Sequence, residues 1–311
     1  MFVLPNPDYR NHPKFAFPDD LPKAQREADG LAQFLPAFAK NYESWLKVGY
    51  PDFGSGEPSG QPVLDEIRRD GVALLTVPAE LKGRMADAAA ATFEDIEGRI
   101  RSFPGKPKFR DMNVAFERSD HPLLYDLAHQ TFAALGVYDA ARRYLRMPLK
   151  IKKLYGQVNN QDETARRYGV IDEDGLPRLK TDYWHIDSDV WPCLKVLIYV
   201  NQVGPDQGPM RYVTGTHRAL DSFELIARKT NDTLKLPIPL FVALPDALRV
   251  HALFGPYLTG DEPQALAMLP KERVLWGTGK DVVLFDNNGV HRGGFVRNGS
   301  RHIIQCLFEP A

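Results

Sequence analysis

The chain is predicted to be an α+β protein in which an antiparallel sandwich or barrel carries helices on one side. Three observations lead there. Residues 79 to 146 repeat apolar side chains at helical spacing, and after Pro148 the period drops to two. A run of helices followed by a run of strands argues against a doubly wound parallel sheet, in which the two would alternate. At 311 residues and 43% hydrophobic content, the composition is that of a globular core in one large domain or two.

Along the chain, the first 60 residues hold a Pro- and Asp-rich arm (LPNPDYRNHPKFAFPDDLP), a helical stretch and a Gly/Pro/Ser loop (PDFGSGEPSGQP). The stretch is KAQREADGLAQFLPAFAKNYESWLKV, which Pro36 should kink or interrupt. Residues 1–62 therefore read as an extension packed on a main domain of residues 63–311. That domain opens with a short helix, LDEIRRD, a turn at Asp70-Gly71 and a buried strand, VALLTV. Helices follow in AELKGRMADAAAATFEDIEGRI, HPLLYDLAHQTFAALG and YDAARRYLR. The strands are IKKLYGQVN, LKVLIYVN, MRYVTG, DVVLFDNN, VHRGGFV and RHIIQCLFEP, bounded by Gly, Asn, Asp or Pro. Between MRYVTG and DVVLFDNN lies an aromatic, Pro-punctuated insert at about residues 221–271.

Lys and Arg number 39 against 40 acidic residues, and the net charge of -1 gives no general attraction to nucleic acid or an anionic membrane. Apolar runs are short, and MFVLPNPDYR lacks the features of a secretory signal, so a cytoplasmic protein is expected. The only cysteines, Cys193 and Cys306, exclude a disulfide framework and a multi-cysteine zinc site, and both read as buried small hydrophobes.

Chemistry enters at YWHIDSDVWP. On an extended strand His185 and Asp187 project to the same side, so an imidazole and a carboxylate can grip one ion; the alternative is a shared solvated face. A facial three-ligand site needs one more nitrogen. His217 in GTHR and His251 in ALRVHALFG compete for that role and both have structural readings. His291 is better placed, after the strand DVVLFDNNG and at the head of VHRGGFV, whose paired glycines allow close backbone approach. Ten residues on, Arg301 opens an alternating strand, where a guanidinium facing a barrel interior suits bidentate recognition of a carboxylate. Arg297, in the turn-like VRNGSR, should face water.

The order of HxD at 185 to 187, LKVLIYVNQV, DQGPMRYVTGTHR, DVVLFDNNGVHRGG and Arg301 in RHIIQCLFEP resembles the phytanoyl-CoA dioxygenase family of Fe(II)- and 2-oxoglutarate-dependent oxygenases. The chain departs from the family pattern at Thr214, where Pro is common, and at Thr216, where Ser is common. The resemblance covers about residues 64–80 and 150–309 and implies a double-stranded β-helix, a cupin-like jelly roll buttressed by helices. It also implies that His185, Asp187 and His291 hold Fe(II), with O2 and 2-oxoglutarate completing the site and Arg301 on the distal carboxylate of 2-oxoglutarate. Lys195, Tyr199 and Thr216 are weaker candidates for cofactor contacts; Lys195 and Tyr199 share one face of LKVLIYV, and the ordinary alternative for Lys195 is a solvated or snorkelling side chain. Halogenating relatives place a small residue at the position of Asp187, so hydroxylation of an unactivated C–H bond, with release of succinate and CO2, is the expected reaction.

For the substrate, the insert and the N-terminal arm are expected over the barrel mouth. Trp184, Trp191 and Arg211 are possible wall residues with core packing as the alternative, and Arg110, Arg166, Arg167 and Lys180 would favour an anionic substrate if they gather there rather than remaining solvated. Two other readings remain at this point: a cupin-type metal enzyme that does not use 2-oxoglutarate, and a barrel that binds without catalysis.

Overall fold

The computed structural model describes residues 22–46, 51–54, 58–102, 113–160, 184–187, 194–219, 221–234, 236, 238–250, 267, 269–277, 281–294 and 296–311. Its helices are α1 (Lys23–Trp45), α2 (Pro62–Asp70), α3 (Ala79–Ser102), α4 (Pro122–Ala134), α5 (Val137–Leu145), α6 (Ser222–Leu234) and α7 (Ile238–Ala243). Its strands are β1 (Val72–Thr76), β2 (Asn113–Phe116), β3 (Leu149–Asn160), β4 (Leu194–Tyr199), β5 (Met210–Val213), β6 (Glu272–Leu275), β7 (Asp281–Asp286), β8 (His291–Arg292) and β9 (Ser300–Pro310).

The strands form two antiparallel sheets, a six-stranded one in the order β1-β7-β4-β9-β3-β2 and a three-stranded one in the order β6-β5-β8. Alternation along each strand divides the large sheet into two chemical faces. Val196 and Ile198 of β4, and Ile304, Cys306 and Phe308 of β9, turn outward onto a core shared with Met85, Phe93 and Ile96 of α3, Leu127 and Phe132 of α4, and Tyr144 of α5. The opposite face meets the small sheet through Val72, Tyr199, Val283, Phe285 and Ile303 against Met210, Tyr212 and Leu275. This is the jelly roll expected from the sequence, with helices covering one sheet and the interior lying between the two.

Between the helices read in AELKGRMADAAAATFEDIEGRI and HPLLYDLAHQTFAALG, where the sequence suggests no element, lies β2, whose four residues NVAF pair with β3 and are too short to show a period. One local expectation is corrected. Pro36 lies inside an uninterrupted α1. The ladder bond that Pro36 cannot donate is offset by packing of Phe34 against Ala227, Leu240, Phe241 and Leu244, which docks α1 on α6 and α7. Among the described residues no helix is long and apolar enough to cross a membrane. Trp191, Cys193, His251, Arg110, Arg166, Arg167 and Lys180 lie outside the described residues.

Candidate metal centre

An antiparallel bridge joins the segment carrying His185 to β8, with the amide of His185 donating to the carbonyl of His291 at 3.0 Å and the reverse bond at 2.8 Å. The bridge sets the two imidazoles side by side, ring centroids 4.4 Å apart. The next bond, from the Asp187 amide to the Asn287 carbonyl at 2.9 Å, brings the carboxylate to the same place. Nε2 of His185 lies 3.6 Å from Oδ1 of Asp187, and Nε2 of His291 lies 3.7 Å from Oδ2. One ligand atom from each of the three residues falls within 4.8 Å of the others. Two imidazole nitrogens and a carboxylate converging from one side are the donor set of a facial ferrous site.

Backbone and burial prepare His291 for ligation. Its Nδ1 lies 2.9 Å from the Gly289 carbonyl, which can only accept, so the proton sits on Nδ1 and the Nε2 lone pair faces the triad. Burial, reinforced by the neighbouring His185, lowers its pKa to about 3, and the ring is neutral at ordinary pH. Burial alone would raise the pKa of Asp187, but the charge of Lys195, with His291 and His185, holds it well below the usual carboxylate range.

Around the triad the structure places three groups of polar side chains. Lys195 is buried rather than solvated, and its Nζ donates to Oδ2 of Asp187 at 2.8 Å. Lys229 of α6, also buried, donates to the Asp187 carbonyl at 2.6 Å and to Oδ1 of Asn287 at 3.0 Å. Beneath them Asp286 accepts from the Tyr144 hydroxyl at 2.6 Å and from the Asn288 amide at 2.8 Å. Burial raises the pKa of Asp286 despite these two bonds.

Arg301 is buried on the interior face of β9, and its Nη2 donates to Oδ1 of Asn159 on β3, its partner in the ladder, at 3.1 Å. Arg297 is exposed, as its turn implied. Tyr199 is buried close enough to Arg301 to feel its charge, and its hydroxyl accepts from the Met210 amide at 3.0 Å. The Thr216 hydroxyl holds the turn before α6: it donates to the Val213 carbonyl at 2.6 Å and accepts from the Val290 amide at 2.8 Å. His217 lies apart from the triad, buried against Phe53, and burial lowers its pKa to about 3. Trp184 is buried beneath the Arg292 guanidinium, 4.4 Å from Cζ to the ring centroid, and Arg211 is bonded to Glu272 at 2.7 Å.

Sequence reasoning missed Lys229 and Asn159. Lys229 is one cation among many in the insert, and only the packing of α6 brings it to Asp187. Asn159 becomes visible once the register of β3 on β9 sets it opposite Arg301.

No family model matches the chain, and no curated protein matches it. Solved structures do. The apoform of EctD from S. alaskensis is 16% identical with a TM-score of 0.50, and the match covers 85% of this chain and 81% of that one. EctD with 2-oxoglutarate and 5-hydroxyectoine is also 16% identical, with a TM-score of 0.49 and coverages of 85% and 80%. The non-heme alpha ketoglutarate dependent carbocyclase SnoK from nogalamycin biosynthesis is 17% identical, with a TM-score of 0.48 and coverages of 85% and 88%. At such identities, what this chain has in common with the EctD apoform is the fold.

Proposed function

We propose that the chain is an Fe(II)- and 2-oxoglutarate-dependent dioxygenase that hydroxylates a C–H bond of a small molecule. The observation that carries this reading is the convergence of His185, Asp187 and His291 within 4.8 Å. Bound there, iron and 2-oxoglutarate supply the oxidation: one atom of O2 enters the substrate C–H bond, the other enters succinate, and CO2 leaves. His185 and His291 offer Nε2, the latter aimed by the Gly289 carbonyl. Lys195 occupies Oδ2 of Asp187, which favours ligation through one carboxylate oxygen and leaves coordination positions for the cosubstrate and oxygen. Arg301, steadied by Asn159, holds the distal carboxylate of 2-oxoglutarate in the buried interior, where an unpaired charge is costly. A cupin-type enzyme without a 2-oxo acid has no use for such a clamp. Residues 1–62 are read as an extension of the oxygenase domain 63–311; α1 rests on α6 and α7, and Lys229 of α6 reaches Asp187, which supports a place for α1 and the described part of the insert at the triad end of the barrel, while residues 1–21 of the arm lie outside the described residues.

Anaerobic addition of Fe(II) and 2-oxoglutarate to the apoprotein should produce the weak visible charge-transfer band of the chelate. It should be absent in His185→Ala. No band in the wild type, or an unchanged band in the variant, defeats the assignment. In the same assay Arg301→Ala should raise the 2-oxoglutarate concentration for half-maximal band at least about tenfold, the loss of one charged hydrogen-bonded contact. Arg297→Ala should leave it unchanged, and the reverse pattern would move the clamp.

A further inference from the structure

Strand register gives the interior floor beyond the triad a definite chemistry. Across the large sheet Asn113 of β2 pairs with Gln157 of β3, which pairs with Ile303 of β9; in the next row Ala115 pairs with Tyr155, Tyr155 with Gln305, and Gln305 with Leu197. All lie on the face that carries Arg301, Lys195 and Tyr199 rather than the face turned to the helices. Asn113, Tyr155, Gln157 and Gln305 therefore form a contiguous uncharged polar strip beside the Arg301–Asn159 pair, and all four are only partly buried, so the strip is open to a ligand. Oδ1 of Asn113 is shielded from solvent and accepts no hydrogen bond from the described residues. Gln157 spends one donor on Asn159 at 2.9 Å. The nearest charge along β3, Lys153, is bonded to Glu117 at 2.7 Å.

This strip sorts substrate classes. A long alkyl chain laid on it would strand several amide groups, each left unpaired at a cost far above that of a bare apolar wall. Among the described residues, the cations beside the strip already hold partners: Lys153 is bonded to Glu117 and Lys195 to Asp187, and the oxygenase reading gives Arg301 to the cosubstrate. A neutral molecule bearing several hydroxyl or carbonyl groups satisfies every one of these side chains. Resting on the oxygenase reading, we infer that the substrate is a neutral polyhydroxylated molecule of the sugar or polyol class, recognised by Asn113, Tyr155, Gln157 and Gln305, and not a fatty acyl thioester.

The test adds a neutral glycoside (methyl glucopyranoside and maltose), a sugar phosphate (glucose 6-phosphate) or palmitoyl-CoA, each at millimolar concentration, to the anaerobic protein with Fe(II) and 2-oxoglutarate. Band perturbation and the thermal midpoint are followed. A neutral glycoside should move both, and Asn113→Leu and Gln305→Leu should each weaken that response at least about tenfold while retaining the unperturbed Fe(II)–2-oxoglutarate band. The inference is overturned if no neutral glycoside responds, if only the sugar phosphate or palmitoyl-CoA does, or if the two variants respond like the wild type. A wild type that forms no band at all instead removes the oxygenase reading beneath it.

Discussion

Gly289→Ala is expected to cost more than about 3 kcal/mol of stability and to abolish high-affinity metal binding. A Cβ at this position would lie 1.8 Å from the Tyr212 hydroxyl oxygen and 2.3 Å from its Cζ. Tyr212 cannot move aside cheaply, because its ring is buried between the sheets and its hydroxyl donates to the Asp286 carbonyl at 2.8 Å. Displacing it combines overpacking, about 1–3 kcal/mol, with a stranded buried hydrogen bond of similar cost. The same turn presents the carbonyl that orients His291, so the damage reaches the triad directly. Denaturant unfolding and Co(II) titration measure the two effects; an alanine variant as stable as the wild type, with unchanged Co(II) affinity, would show that Tyr212 is not held in this slot.

Lys229→Met should weaken Co(II) binding by about ten- to a hundredfold, the usual consequence of removing a group that supports a ligand without touching the metal. The ammonium ties the segment carrying Asp187 to the turn that leads into His291, through the Asp187 carbonyl and the Asn287 side chain. Methionine retains much of the stem's bulk and removes the donors, so the change tests positioning more than packing. The Co(II) ligand-field spectrum should broaden as the carboxylate loses its fixed position. A Lys229→Met protein that binds Co(II) with wild-type affinity and spectrum, even if it melts earlier, would reduce Lys229 to a structural role.

What could be read from the sequence followed from local order. Strands such as LKVLIY and RHIIQCLF announce themselves because both faces are committed, one to helices and one to the interior, so alternation survives in the residue types. His185 and Asp187 were legible because a spacing of two on extended chain is itself geometry, and Arg301 because an arginine inside an apolar alternating strand requires an anion or a polar partner to be buried there. The strands β2 and β6 were not: both are half-buried along most of their four residues, so no alternation of faces is written in them, whereas β5, equally short, is mostly buried. Lys229, Asn159 and the interior strip escaped for a different reason: their meaning lies in which strand or helix comes to rest beside them. Pro36 shows the converse, a strong local signal overruled by the apolar surface that α1 shares with α6 and α7.

The bridge between His185 and His291 spans 106 residues, and its consequence is temporal. During synthesis His185 and Asp187 emerge long before their partner, and a two-ligand fragment holds a metal far less tightly than a complete facial set. The closing pair is a long-range contact, so it forms after the loop-closure entropy of the intervening insert has been met. Any ion that recognises all three side chains thus recognises a finished barrel, and by mass action it draws the folding equilibrium toward that state.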